Sequence, residues 1–127
     1  MAFLSVSSSG SAGEKAVQED DTLKNANYTA VSVQSNALME VKAGTADVAV
    51  IDYVMAKSMV GEGTDYSDLL IVEGVELAVE EYAIGLRLGS KETLAKFNAA
   101  IDKLIADGTL DKIAEKYGLT DSLLSNQ

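Results

Sequence analysis

Two groups in this chain are placed to do chemistry, and their electrostatic characters are opposite. One is the turn Gly10-Ser11-Ala12-Gly13, which follows three serines and leads into a helical stretch. The free N–H groups and the dipole of a helix start favour an anion. The other is Asp52, which closes the apolar run 48–51 and favours a cation. An apolar run of this kind suits a strand covered by helices on both faces of a parallel sheet, and the carboxyl ends of such strands point into the ligand crevice. An anion site beside a carboxylate suits a zwitterion, and an α-amino acid is the obvious small one.

Both groups also have plainer readings. A Gly-Ser turn between a strand and a helix serves well as a turn alone. A strand-end Asp serves well as the N-cap of the helix that follows. Three other chemistries are disfavoured. The stretch Gly13-Glu14-Lys15-Ala16 interrupts the Gly-Lys-Ser/Thr that a phosphate-binding Walker loop needs. A response-regulator receiver with Asp52 as phospho-acceptor needs further carboxylates after its first strand, where this chain has Ser7, Ser8 and Ser9. A flavodoxin-like flavin carrier usually stacks its ring on Trp or Tyr, and Trp is absent. The receiver and the flavodoxin-like scaffold stand as the alternatives.

With no Cys and no His, thiol chemistry, typical zinc sites and His-based acid–base catalysis are all removed. No nucleophile–base pair suggests an enzyme, and no cofactor is called for. A net charge of −10 with scattered Lys and Arg argues against nucleic acid and is compatible with cationic ligands. No run approaches the ~20 apolar residues of a membrane span. The first ten residues lack the basic flank and apolar core of a secretion signal, so a cytosolic protein or a mature or trimmed form is expected.

The elements that must hold these groups alternate. Strands are expected at 3–7, 28–33, 48–51, 69–72 and 82–88. Helices are expected at 14–20, from a Ser35 cap to Gly44, at 54–60, from a Ser90 cap to Gly108, and from a Thr109 cap to Gly118. The fold class is α/β, a three-layer, doubly wound, mainly parallel sheet of five strands. In the common order 2-1-3-4-5 the first and third strands are neighbours. The 10–13 turn and Asp52 then sit side by side.

Taken in order, the segments are more specific than apart. Gly10-Ser11-Ala12-Gly13-Glu14, residues 36–53 ending in Val50-Ile51-Asp52-Tyr53, the run 82–90, and 107–118 beginning Asp107-Gly108-Thr109-Leu110 resemble bacterial extracellular solute-binding proteins for polar amino acids. The likeness covers the second lobe and the C-terminal piece of the first. It implies a periplasmic-binding-protein lobe related to the flavodoxin-like class. It also implies that the Ser11 hydroxyl and the Ala12 N–H meet the ligand α-carboxylate and that Asp52 grips the α-ammonium. Gln34 and Ser35 are implied at the pocket rim.

The resemblance further implies a polar amino acid as ligand and an ABC-transporter permease as the parent protein's partner. For that parent it implies an extracellular or periplasmic setting. Residues 1–82 correspond to lobe two, and 83–127 to the return strand and C-terminal helices. The larger part of lobe one has no counterpart here, so ligand binding is expected to be weak or undetectable. The stripe through Leu94, Phe97, Ile101, Leu104 and Ile105 then has to fold back on the sheet or pair in a homodimer through 90–118.

Overall fold

The computed structural model describes residues 4–126; Phe3, expected to open the first strand, lies outside them. The chain divides into two compact units, Met1–Glu80 and Glu81–Gln127.

In the first unit, β1 (Leu4–Ser8), β2 (Asn27–Val31) and β3 (Val48–Ala49) form a parallel sheet in the order β2-β1-β3. Leu4 lies opposite Asn27 and Ser8 opposite Val31, while Ser5 and Val6 face Val48 and Ala49. Pairing runs one residue past β3, because the Val50 N–H donates to the Val6 carbonyl at 2.9 Å. Three helices connect and follow these strands: α1 (Ala12–Glu19), α2 (Gln34–Lys42) and α3 (Tyr53–Met59).

The alternation of β1 shows how the layers stack. Val6 is fully buried and clusters with Ala37 and Ala46, so its side chain faces α2. The neighbouring Ser7 turns to the other face, where its Oγ lies 3.2 Å from the Ser11 Oγ at the start of α1. Successive strand side chains point to opposite faces. Hence α1 and α2 cover opposite sides of the sheet, and the expected α/β three-layer class holds. The core contacts are small: Ala16 and Val17 under α1, Ala37 and Leu38 under α2. Small side chains let helix and sheet backbones approach closely.

The sheet has three strands among the described residues, not five. Residues 69–72 and 82–88 join no ladder, and Leu70, Ile84 and Leu88 stand exposed. An apolar, β-branched run suits a strand but does not supply the edge that must receive it. Some bounds also move. Ser35 is not the cap of α2, since the helix begins at Gln34 with Val33 in the cap position. Gly44, in the left-handed region at φ 74°, follows the end of that helix as expected.

Beyond α3, Val60 bridges to Tyr66, whose ring is buried. Lys42 holds this loop against α2. Its ammonium lies 5.4 Å from the Tyr66 ring centroid and 3.6 Å from an Asp68 carboxylate oxygen.

The second unit contains α4 (Lys91–Ala106) and α5 (Thr109–Tyr117). Ser90 occupies the cap position of α4 without a side-chain cap bond. Thr109 is the first residue of α5 and not its cap; Gly108, at φ 72°, takes that place. The Thr109 N–H donates to Asp107 Oδ1 at 3.0 Å instead. A left-handed Gly118 ends α5, and Leu119 N–H reaches back to the Ala114 carbonyl at 2.8 Å, a Schellman-type closure. No residue of α4 is buried, and in α5 only Ala114 is.

Candidate functional site

Parallel strands with helical crossovers bring every strand's carboxyl end, and the helix start that follows it, to one edge of the sheet. Here that edge collects the starts of α1, α2 and α3, and with them Ser11, Ala12, Gln34, Ser35 and Asp52.

Ser11 is the N-cap of α1. Its hydroxyl donates to the Ser8 carbonyl at 2.6 Å and accepts the Glu14 N–H at 3.1 Å. Ala12 follows as the first helical residue and is exposed. Its N–H is one of the four at a helix start that have no acceptor within the helix. The turn is held further by Glu14, whose Oε2 accepts the Gly10 N–H at 2.6 Å. Gly10 sits in the left-handed region at φ 72°, a conformation that glycine takes without strain.

Asp52 is half-buried and caps α3, its Oδ1 accepting the Met55 N–H at 2.7 Å. The capping alternative read from sequence is therefore realised. Its own N–H donates to Gln34 Oε1 at 2.8 Å, which joins the starts of α2 and α3. Ser35, half-buried, is the second residue of α2.

Gly13 brings the start of α1 close to the segment leading to Asp52. A Cβ placed there would lie 2.7 Å from Ser7 Oγ and 3.0 Å from the Val50 carbonyl. Only a glycine lets α1 sit this near the third strand. The arrangement thus sets a helix start and a carboxylate at neighbouring strand ends.

Three participants were not assigned roles from sequence. Glu14 was legible, since Ser11 and Glu14 have the spacing of a capping box. Gly13 and Tyr28 were not, because their contacts come from distant strands. Tyr28 on β2 donates toward Glu14 Oε1 at 3.2 Å, with the Ser7 carbonyl at 3.4 Å. Burial raises the Tyr28 pKa above its ordinary value, and the hydrogen bond to Glu14 and that group's charge push it the same way.

Among the described residues no cluster of three or more His, Cys, Asp or Glu could hold a metal ion. Two open hollows, one lined by Ser58, Met59 and Tyr66 and the other by Met39, Lys42 and Tyr66, lie by the C-terminal ends of α3 and α2. They belong to the opposite edge of the sheet from Asp52.

The chain matches the family described as bacterial extracellular solute-binding proteins, family 3, over residues 15–120. It is also similar to an L-arginine-binding protein of Pseudomonas aeruginosa, 34% identical over 98 residues. That match covers 73% of this chain and 38% of the relative, so the chain spans well under half of that protein's length. No solved structure matches.

Proposed function

We propose, from the premise that this chain belongs to the bacterial extracellular solute-binding proteins of family 3, that it forms one jaw of an amino-acid receptor serving an ABC transporter outside the cytoplasmic membrane. The family binds solutes and is non-enzymatic, which sets aside the receiver and flavin-carrier alternatives. Residues 1–82 act as the second lobe, and residues 83–127 as the return strand and helices of the first.

One observation carries the reading. The start of α1, with the Ser11 hydroxyl and the Ala12 N–H, and the Asp52 carboxylate lie at the same sheet edge, where Gly13 lets α1 approach the Val50 carbonyl two residues before Asp52. In this reading the Ala12 N–H and the Ser11 hydroxyl receive the ligand α-carboxylate, and Asp52 receives the α-ammonium. Ser11 now donates its single hydroxyl proton to Ser8, so it must turn that proton outward to do so. Gln34 and Ser35 border the pocket.

The name of the similar Pseudomonas protein and the net charge of −10 make L-arginine the first ligand to test. One jaw leaves a ligand largely solvated, and small ligands bind well only when most of their surface is buried. The affinity of this chain alone is therefore in the millimolar range or weaker, a binding free energy no more favourable than about −4 kcal/mol. A chemical-shift titration with L-arginine should move the amides of Ser11, Ala12 and Asp52 without saturating at micromolar ligand. Micromolar saturation in a calorimeter contradicts the half-cleft reading, and amides that stay still contradict the site.

A homodimer through residues 90–118 completes the proposal. It is supported by α4, where Leu94, Phe97 and Ile105 lie on one stripe and remain 38–48% exposed. An apolar face of this kind seldom stays uncovered in solution. A monodisperse monomer in light scattering excludes the dimer.

A further inference from the structure

The turn at Ser11 and Ala12 is held by more than its own helix. In the usual reciprocal cap, a Glu three residues into the helix accepts the N–H of the capping residue. Here the Ser11 N–H goes to the Ser8 carbonyl at 3.3 Å, and Glu14 reaches one residue further out, to Gly10. The carboxylate therefore grips the outer limb of the turn. Its second oxygen is engaged from another element altogether, by the phenol of Tyr28 on β2. Tyr28 pairs with Ser5 in the sheet register, so its backbone is fixed by the parallel ladder. A local helix cap has no need of this long-range contact.

We propose that Glu14 and Tyr28 are positioning residues for the ligand-facing turn: the Tyr28 phenol orients the Glu14 carboxylate, which fixes Gly10 and thereby aims the Ser11 hydroxyl and the Ala12 N–H. The inference rests on the reading that this turn receives the ligand carboxylate. Rigid placement matters most for a half-cleft. Few contacts are made, so each ordered group that must first be immobilised subtracts from a small total. The clamp also works against a charge of its own sign, because the Glu14 carboxylate sits beside the place an incoming carboxylate would take. Neutralising Glu14 while keeping its acceptor separates the two effects.

The experiment is an L-arginine titration of the full chain, followed through the amide resonances of Gly10, Ser11 and Ala12, in wild type and three variants. Glu14→Ala removes the clamp and should weaken binding about tenfold, with the Gly10 amide displaced before ligand is added. Glu14→Gln keeps an acceptor for Gly10 and removes the charge, so it should bind at least as well as wild type. Tyr28→Phe leaves the carboxylate unoriented and should weaken binding about threefold. Glu14→Ala and Tyr28→Phe binding like wild type would overturn the inference while leaving the site intact. Glu14→Gln losing as much as Glu14→Ala would overturn it too, because charge and not position would then be the cause. Wild-type amides unmoved by L-arginine would sink the site reading and this inference with it, even if Gly10 shifts in the ligand-free variants.

Discussion

Residues 4–80 fold around a parallel sheet with Val6, Ala37 and Ala46 at its centre, whereas residues 81–126 hold two amphipathic helices of which only Ala114 is buried. Charge is divided as unevenly. Thirteen acidic and four basic residues fall in the first stretch, against seven and six in the second. The first unit has a buried apolar centre and carries nearly all the net negative charge. The second is close to neutral and presents apolar surface outward. Local signals suffice to make helices, but they do not provide a core. Binding chemistry here gathers where backbone elements are tied to one another across the sheet.

Substitutions can break or sharpen this contrast. The largest effect is expected at Val6, fully buried between sheet and α2. Val6→Ala should cost about 2 kcal/mol in denaturant unfolding. Leu94→Ser, on a side chain 48% exposed, should change the same measurement by less than about 0.5 kcal/mol while reducing any self-association. Equal costs at the two positions would mean that α4 is packed after all.

Next comes Gly13→Ala, which sets a methyl against Ser7 Oγ and the Val50 carbonyl. The neighbouring backbone cannot yield easily, so about 1–3 kcal/mol should be lost. The Asp52 amide should shift in the same spectra, since α1 must back away from the segment leading to it. A neutral Gly13→Ala would mean that the approach of α1 to the third strand is loose.

Caps give a smaller contrast. Asp52 makes a side-chain cap bond to Met55, whereas Ser90 makes none. Asp52→Ala should therefore cost about 1 kcal/mol, and Ser90→Ala a few tenths. The two changes being equal in thermal melts would erase the distinction between the helix starts.

The smallest expected effects are in pH. The Tyr28 pKa is raised above the ordinary tyrosine value of 10.0, chiefly by burial and then by Glu14. Its stabilising contribution is whole below that value and lost as pH rises through the folded-state value. Alkaline destabilisation of the first unit should shrink in Tyr28→Phe. In the second unit the Asp107 pKa is lowered below 3.8, by hydrogen bonds from the Thr109 side chain and backbone. That contribution is present above 3.8 and lost as pH falls through the lowered value. Asp107→Asn should remove this acid sensitivity from α5, read by circular dichroism, while the alkaline limb stays unchanged.

The helices were legible in outline because their signals lie within a few residues. Ser11 precedes α1, Asp52 precedes α3, and Gly44 and Gly118 follow helix ends. The runs 69–72 and 82–88 were misleading, since hydrophobic β-branched residues are only half of what a strand needs. The other half is an open edge at the right place. In the site, the types of Ser11 and Asp52 were readable, as was the capping spacing to Glu14. The roles of Tyr28 and Gly13 were not, nor was the bond from the Asp52 N–H to Gln34, because each contact is made with a residue far away in the chain.

What the amino-acid order determined by itself was therefore local: where helices start and stop, which stretches are apolar, which charges and hydroxyls exist, and the family to which their succession belongs. Tertiary structure alone decided that the runs 69–72 and 82–88 join no ladder, that α1 can touch the Val50 carbonyl only through a glycine, and that a phenol from β2 holds the carboxylate of Glu14. Propensity and capping act over a turn or two of chain. Strand order and side-chain meeting points depend on which distant surfaces bury one another.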